Sequence, residues 1–425
     1  MKLLVNCGEI AHLSTGDDEF PLTGRHLLDR EKLVYEPGRA ILIQDDRIVD
    51  IAPSSELISE FAPWYPANTT KGQTEVIDVR GMAVVPGFVD CHTHLVWAGN
   101  RSNELSLRQS GITYQEIAKQ GGGIKKTVTN TRISPIEELV EFGMERANIA
   151  LKNGTTSMEA KSGYGLDTNT EIKILEAISK INMGSECNIS STWLGAHDFP
   201  TEMRRGEYME QLISEQLPII SELSLAKWTD VFCEDGWYTL EETEEIVNAS
   251  KEYGLGSRLH VDEFVDNGGL ALAAELGAVS GDHVACSNAD SRTLASESGT
   301  VQTFLPGTPY VLGKNIDSPI NECIREDWSF AAATDFNPNC PILSLPFIGS
   351  LLSHRLNVDP IVSLASVTRN SASTMFDGKD VRGVISEGYV ADLNILWASS
   401  ADSWCQTPGS SPVKMTLASG SIVNP

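Results

Sequence analysis

From residue 84 to about 376 the chain alternates short apolar runs, each ending in polar residues, with segments of helical periodicity. The runs are Ala83–His94, Gly154–Lys161, Ile189–His197, Asp230–Glu234, Arg258–Glu263, Val279–His283, Thr300–Leu305 and Phe330–Asn337; Pro135–Lys152, Glu171–Ile181 and Leu240–Tyr253 are among the helical segments between them. Short apolar runs read as strands, and strands that alternate with helices predict an α/β fold. Eight such strands point to a (β/α)8 barrel over residues 84–376. A doubly wound open sheet competes, but no Gly-x-Gly-x-x-Gly follows a first strand, and Gly121-Gly122-Gly123 follows a helical stretch, so it reads as a flexible active-site loop.

The flanks differ. Residues 1–83 hold the short apolar stretches Lys2–Asn6, Ala40–Ile43 and Glu75–Val79, separated by Asp/Gly/Pro turns, and Val390–Leu396 and Val413–Leu417 read as further strands. Neither end alone holds many apolar residues. The expectation is one small β-sandwich domain built from 1–83 and 377–425, beside the barrel.

Charge narrows the partners. A formal charge of −26 over 425 residues argues against nucleic acid and anionic membranes, whose phosphates would be repelled. No basic-plus-apolar leader opens the sequence and no apolar run approaches a membrane span. The eight cysteines are scattered without a Cys-x-x-Cys pair, which predicts reduced thiols and a cytoplasmic protein.

The polar residues that end the runs carry the chemistry. His92, His94, Lys161, His197, Glu234, His260, Glu263, His283 and Asp335 all fall at or near C-terminal strand ends, the face on which barrels place their active sites. Five of the eight histidines are in this set. His92, His94, His260 and Asp335 form a candidate ligand set for one divalent or trivalent metal ion, zinc or iron. Each has a plain structural alternative: His260 as a hydrogen-bonded core residue, Asp335 as a helix cap. Four such placements on one barrel face favour the metal.

The stretch Pro-Gly-Phe-Val-Asp-Cys-His-Thr-His, with the His260 and Asp335 strands and the closing Gly-Val-Ile-Ser-Glu-Gly-Tyr-Val-Ala-Asp-Leu, resembles the amidohydrolase superfamily. Within it the chain is similar to the imidazolonepropionase family. Trp97–Arg101, Gly121–Ile124, Lys161–Gly165, Leu194–His197, Asp230–Glu234 and Thr334–Pro338 carry that likeness. The resemblance implies hydrolytic opening of 4-imidazolone-5-propanoate to N-formimidoyl-L-glutamate, in histidine degradation, and a homodimer. It implies substrate contacts from Arg101, Tyr164, His197, Glu263, Asn337, Asn339 and Cys340. Arg101 offers a fork for the substrate carboxylate. Tyr164, in a Gly-Tyr-Gly loop, is expected to face the ligand, and His197 to donate to the ring oxygen. Asp335 would orient the attacking water and take its proton, and Glu263 would bind the ring nitrogens. Glu263, His283 and Asp335 all remain candidates for the working base.

Two positions depart from the family pattern. Asn339 and Cys340 stand where many members carry glycine and a small hydroxyl residue, so a contact through the Cys340 side chain is not expected. Lys161 ends the second candidate strand rather than the fourth, against a carboxylated lysine bridging two metals. The competing enzyme is a metal-dependent deaminase or cyclic amidase acting on another small heterocycle, which would not need Arg101 and Tyr164. A non-catalytic relative would have lost metal ligands.

Overall fold

A computed structural model describes residues 1–16, 18, 21–68, 70–71, 74–112, 116–117, 121–376 and 380–424. Its centre is a sheet of eight parallel strands in chain order: β1 (Phe88–Asp90), β2 (Thr155–Lys161), β3 (Asn188–Ala196), β4 (Trp228–Cys233), β5 (Gly256–Val261), β6 (Ser280–His283), β7 (Val301–Phe304) and β8 (Phe330–Ala332). Helices cross over between successive strands, as the alternating pattern predicts. The ring closes beyond the strand ends, where Thr93 bridges to Phe336, His94 N–H donates to Phe336 O (2.8 Å) and Asp335 N–H donates to His92 O (3.1 Å). Asp90 fastens the same seam by accepting from Thr334 N–H (3.0 Å) and Thr334 Oγ1 (2.6 Å).

Every residue of β2 is buried, because helices cover the outside and side chains fill the inside. Met158 and Ala160 join the apolar cluster that includes Ile174 and Ile178 of the helix Thr168–Gly184. Glu159 and Lys161, of opposite parity, turn inward beside Asp230 and Asp282. Barrel interiors are normally layers of branched apolar side chains. This one is charged.

Two further sheets flank the barrel. One has five strands, Arg47–Pro53, Arg39–Gln44, Lys2–Val5, Thr74–Asp78 and Thr70–Lys71, all from the N-terminal part. The other has six and mixes the two ends: Ser421–Asn424, Val413–Ala418, Leu393–Leu396, Val84–Pro86, Ile10–Ala11 and Val34–Tyr35. Leu4, Ile41 and Ile43 from the first sheet and Ile10, Val84, Leu393, Ile395 and Leu417 from the second form one buried cluster. Sandwiching them buries what neither terminus buries alone.

One strand differs from expectation. The run Ala83–His94 is not a single barrel strand: Val84–Pro86 pairs with Leu393–Leu396 in the terminal sheet, and β1 begins only at Phe88. Gly87 makes the switch possible. A Cβ there would lie 2.3 Å from Thr156 Oγ1, so only glycine lets the chain pass between sheet and barrel. The expected second boundary, at residue 377, falls on 377–379, outside the described residues. No described helix is long and apolar enough to cross a membrane.

Candidate metal centre and active site

His92 and His94 follow β1 with one residue between them, so their rings turn to the same side. Thr93 anchors the segment from the opposite side, its Oγ1 donating to Glu159 O (2.6 Å) and its N–H to Glu159 Oε2 (3.1 Å). His92 Nδ1 lies 2.7 Å from Asp282 Oδ2, both side chains fully buried. A carboxylate only accepts, so Nδ1 carries the proton and Nε2 presents its lone pair. That Nε2 has no hydrogen-bond partner among the described residues and sits 3.6 Å from Asp335 Oδ1; His94 Nε2 is 3.7 Å from the same oxygen. His260 is held by Asp230, whose Oδ1 accepts the His260 backbone N–H (3.1 Å) and whose Oδ2 lies 2.9 Å from Nδ1.

Candidate ligand atoms of His92, His94 and His260 all lie within 4.8 Å of one another, as do those of His92, His283 and Asp335. A fully buried imidazole lone pair without a donor, facing a carboxylate, is the arrangement a cation satisfies. The four residues expected as metal ligands thus fall in two groups that share His92, the second of which also contains His283, and each group could hold such an ion.

Lys161 ties the supporting carboxylates together. Its Nζ lies 2.8 Å from Asp230 Oδ2, 2.9 Å from Glu159 Oε1 and 3.8 Å from Asp282 Oδ2, all fully buried. Burial pulls the lysine pKa down, but Asp230, Glu159 and Asp282 outweigh it and the net shift is upward. A charged ammonium clamped this way is not a nucleophile for carboxylation. The neighbouring imidazoles are pushed the other way: burial first, then positive charges including Lys161, hold His92 and His94 well below the usual histidine range. They are neutral, as ligands must be.

Backbone strain collects at the strand ends. Asp335 (φ 52°), His283 (φ 73°) and Asp262 (φ 51°) all adopt the left-handed region without being glycine or asparagine. Asp335 is held there by Asn337, whose Nδ2 donates to Asp335 O (2.8 Å), and by Thr308, whose hydroxyl donates to Asp335 Oδ2. Burial raises the Asp335 carboxyl to about 6. Glu263 is raised well above the carboxylate range, by burial and then by the charges of Asp335 and Glu234. Glu234 in turn aims the Glu263 loop, its Oε2 accepting from Glu263 N–H (2.7 Å) and Phe264 N–H (3.1 Å). His283 Nε2 lies 3.7 Å from Glu263 Oε2.

Above this cluster opens a pocket of about 730 Å³ whose lining includes His94, Arg101, Tyr164, His197, His260, Glu263, His283, Asp335, Asn337 and Asn339. Gly122 of the glycine run also lines it. His197 Nδ1 is 3.0 Å from Gly163 O, and burial drives the ring pKa down to about 3. The carbonyl can only accept, so Nδ1 carries the single proton and Nε2 is left with a lone pair. The expected donation from His197 to a ring oxygen does not fit this tautomer, in which the free nitrogen is an acceptor. Glu171 stands behind the loop, accepting from Gly163 N–H (2.9 Å), Gly165 N–H (2.6 Å) and Leu166 N–H (3.0 Å). Gly163 (φ 107°) cannot be replaced freely, since a Cβ would sit 2.9 Å from His197 Nδ1.

Three residues at the rim bear on the expected substrate contacts. Tyr164 lines the pocket, yet it is only 3 % exposed, packed against His94 and His197 with ring centroids 5.7 and 5.2 Å away. Arg101 gives two of its nitrogens to Glu104, Nε at 3.0 and 3.1 Å and Nη2 at 2.9 Å, instead of presenting an open fork. Cys340 is fully buried, its thiol turned to Thr334 O (3.7 Å), and it does not line the pocket among the described residues. Its backbone N–H donates to Asn337 Oδ1 (3.0 Å), as does that of Asn339 (2.8 Å).

The sequence reading assigned no role to Asp230, Asp282, Glu159, Glu171, Glu104 or Arg108. For Asp230, Glu159 and Asp282 a signal existed: carboxylates inside apolar runs need a buried partner. For Glu104 and Arg108 none did, because a charge pair four residues apart in a helical stretch reads as a solvated face.

No protein-family model matches the chain. The chain is 39% identical over 398 residues to an imidazolonepropionase of Symbiobacterium thermophilum, covering 93% of this chain and 90% of that one. It is 38% identical over 377 residues to an imidazolonepropionase of Thermoanaerobacter pseudethanolicus, covering 88% and 87%. Among solved structures it is similar to a 5-methylcytosine deaminase from Klebsiella pneumoniae liganded with 5-fluorocytosine (TM-score 0.71, 16% identity, 99% of this chain and 97% of that one). A mutant atrazine chlorohydrolase from Arthrobacter aurescens, complexed with zinc and atraton, is also similar (TM-score 0.67, 14% identity, 100% and 95%). At these identities the two structures share the fold.

Proposed function

The chain belongs to the imidazolonepropionase family, and from that premise we propose how its residues open the ring of 4-imidazolone-5-propanoate to give N-formimidoyl-L-glutamate. The observation that carries the reading is the convergence of His92, His94, His260 and Asp335 under one pocket, with Glu263 and His197 on its wall. These ligands suit a single zinc or iron ion, which when bound supplies Lewis acidity and a more acidic water.

In the reaction the water oxygen bonds to the ring carbonyl carbon and the carbon–nitrogen bond breaks. One water proton ends on the departing nitrogen and the other leaves the new carboxyl group. Asp335, with its carboxyl raised only to about 6, is the base that takes the first proton at neutral pH. Burial and its acidic neighbours raise the Glu263 carboxyl well above the usual range, which suits it to donate to the leaving nitrogen. His283 supports Glu263. The Nε2 lone pair of His197 accepts a ring N–H, and Tyr164 and Arg101 border the propanoate end.

The alternative, a deaminase or cyclic amidase for another heterocycle, is not favoured by relatives that all bear one name at 35–40% identity. Turnover of 4-imidazolone-5-propanoate by purified protein, compared with guanine, cytosine and hydantoin, is the test: activity confined to cytosine would overturn the proposal. Metal content measured on the same sample decides between zinc and iron. The homodimer rests on the family likeness and is checked by light scattering. A cytoplasmic location rests on eight free thiols, seven of them buried.

A further inference from the structure

We propose that Glu234 is the positioning residue that holds the proton donor Glu263 within reach of the leaving nitrogen. The inference rests on the donor role given to Glu263 above and asks what fixes that donor in place. Its own carboxyl does not. His283 Nε2 lies 3.7 Å from Glu263 Oε2, beyond hydrogen-bond range, and among the described residues no hydrogen bond reaches either carboxyl oxygen. A side chain without such a bond is placed through its backbone. The Glu263 N–H donates to Glu234 Oε2 (2.7 Å), the Phe264 N–H donates to the same atom (3.1 Å), and the Glu263 carbonyl accepts from Cys286 Sγ (3.6 Å).

Glu234 directly follows β4, which pairs with β5, so it reaches across one strand spacing to the turn beyond β5. It is 2 % exposed, yet its partners among the described residues are three backbone N–H groups, those of Glu263, Phe264 and Asp235 (3.3 Å), and no cation. A buried carboxylate is costly unless its oxygens are satisfied, and a plain tie between two strand ends needs no charge. The far leg of the turn is fixed separately, by Asp262 Oδ1 accepting from Asn267 N–H (3.3 Å) and Gly269 N–H (3.0 Å). The tip that carries Glu263 is left to Glu234 and the weaker thiol contact. The Glu234 charge also disfavours ionisation of Glu263, so position and charge have to be told apart.

Two substitutions do so. Glu234→Asp keeps the charge but draws it back by one methylene, whereas Glu234→Gln keeps an oxygen in reach of both N–H groups and loses the charge. Metal-loaded wild type, both variants, Glu263→Gln and the double variant Glu234→Asp with Glu263→Gln are assayed for turnover of 4-imidazolone-5-propanoate, with metal content and thermal unfolding as controls. Glu234→Asp is expected to lower kcat about 10- to 100-fold, as a displacement of about 1 Å does, with KM within about threefold and metal content unchanged. Glu234→Gln is expected to stay within about fivefold of wild-type kcat, since one amide oxygen accepts both bonds. In the Glu263→Gln background, Glu234→Asp is expected to cost less than about threefold, because an absent donor cannot be misplaced. Losses that multiply in the double variant, or a Glu234→Gln kcat as low as that of Glu234→Asp, overturn the positioning role. A slow Glu263→Gln beside a Glu234→Asp of wild-type kcat overturns that role alone and leaves the proposed reaction standing. A Glu263→Gln kcat equal to wild type removes the donor itself, and this inference falls with it.

Discussion

Asp282→Asn is the sharpest probe of the metal centre, because it changes charge at one atom that touches a ligand while keeping shape. Asp282 Oδ2 lies 2.7 Å from His92 Nδ1, with neither side chain exposed. The other carboxylate oxygen, Oδ1, has no hydrogen-bond partner among the described residues. An asparagine can therefore keep its carbonyl oxygen on Nδ1 and leave its amide where no bond existed. The imidazole tautomer survives, but a charge-assisted hydrogen bond becomes a neutral one, a loss of about 1–2 kcal/mol. Removing a ligand's supporting carboxylate typically weakens metal binding about 10- to 100-fold, which corresponds to about 1.4–2.7 kcal/mol, so the two routes agree. The fold should lose less. Lys161 gives up only its longest contact, 3.8 Å, and keeps Asp230 at 2.8 Å and Glu159 at 2.9 Å. The assay is competition for the metal against a chelator of known affinity, with thermal unfolding of the metal-free protein as control. Weaker metal binding with little change in the metal-free melting temperature is expected. An affinity within about twofold of wild type would refute the argument that the Asp282 charge makes His92 a better ligand.

Other substitutions test single links. Arg101→Met strands the buried Glu104 carboxylate, so it should destabilise the protein by about 3–5 kcal/mol in chemical denaturation; adding Glu104→Gln should restore most of that, and no restoration would mean the pair is not the cause. Cys340→Ser should leave KM within about twofold, since the thiol faces Thr334 O and not the pocket; a large KM change in steady-state assays would place it in the site after all. Glu263→Gln should lower kcat about 10²- to 10⁴-fold with metal content unchanged, and a kcat near wild type would remove Glu263 from proton transfer.

The barrel and its histidines were legible because parallel strands buried on both faces announce themselves as unbroken apolar runs, against which His92, His260 and Asp335 stand out. What lay hidden is long-range. The apolar continuity from Ala83 to Val89 gives no sign that Val84–Pro86 pairs with Leu393–Leu396, near the other end of the chain; Gly87 is the one mark of the switch. Glu104 sits four residues before Arg108 and looks like its helical partner, yet it bonds to Arg101 and leaves Arg108 to Asn339. Tyr164 between two glycines reads as exposed until His197, brought in by the next strand, closes over it. The role of His197 turned on which carbonyl its Nδ1 meets, and no spacing in the sequence specifies that.

The two faces of each barrel strand divide the work of folding and function. Met158 and Ala160 join the apolar cluster outside the barrel and bury apolar surface at about 25 cal/mol per Å², while Glu159 and Lys161 on the same strand face inward and do not. Taking such charges out of water is costly, and pairing usually little more than offsets it, so the interior network is not what stabilises the fold. The outer layer must carry that cost together with the left-handed backbone at Asp262, His283 and Asp335, about 1–3 kcal/mol each. What the interior gains is fixed geometry. Asp230 and Asp282 each hold a histidine, and Lys161 holds both carboxylates, so neither imidazole can turn without losing its contact with a carboxylate that is itself fixed at the barrel's centre. A rigid, charged interior and a soft apolar exterior thus follow from one strand periodicity of two, and the ligand set inherits its precision from residues that never touch the pocket.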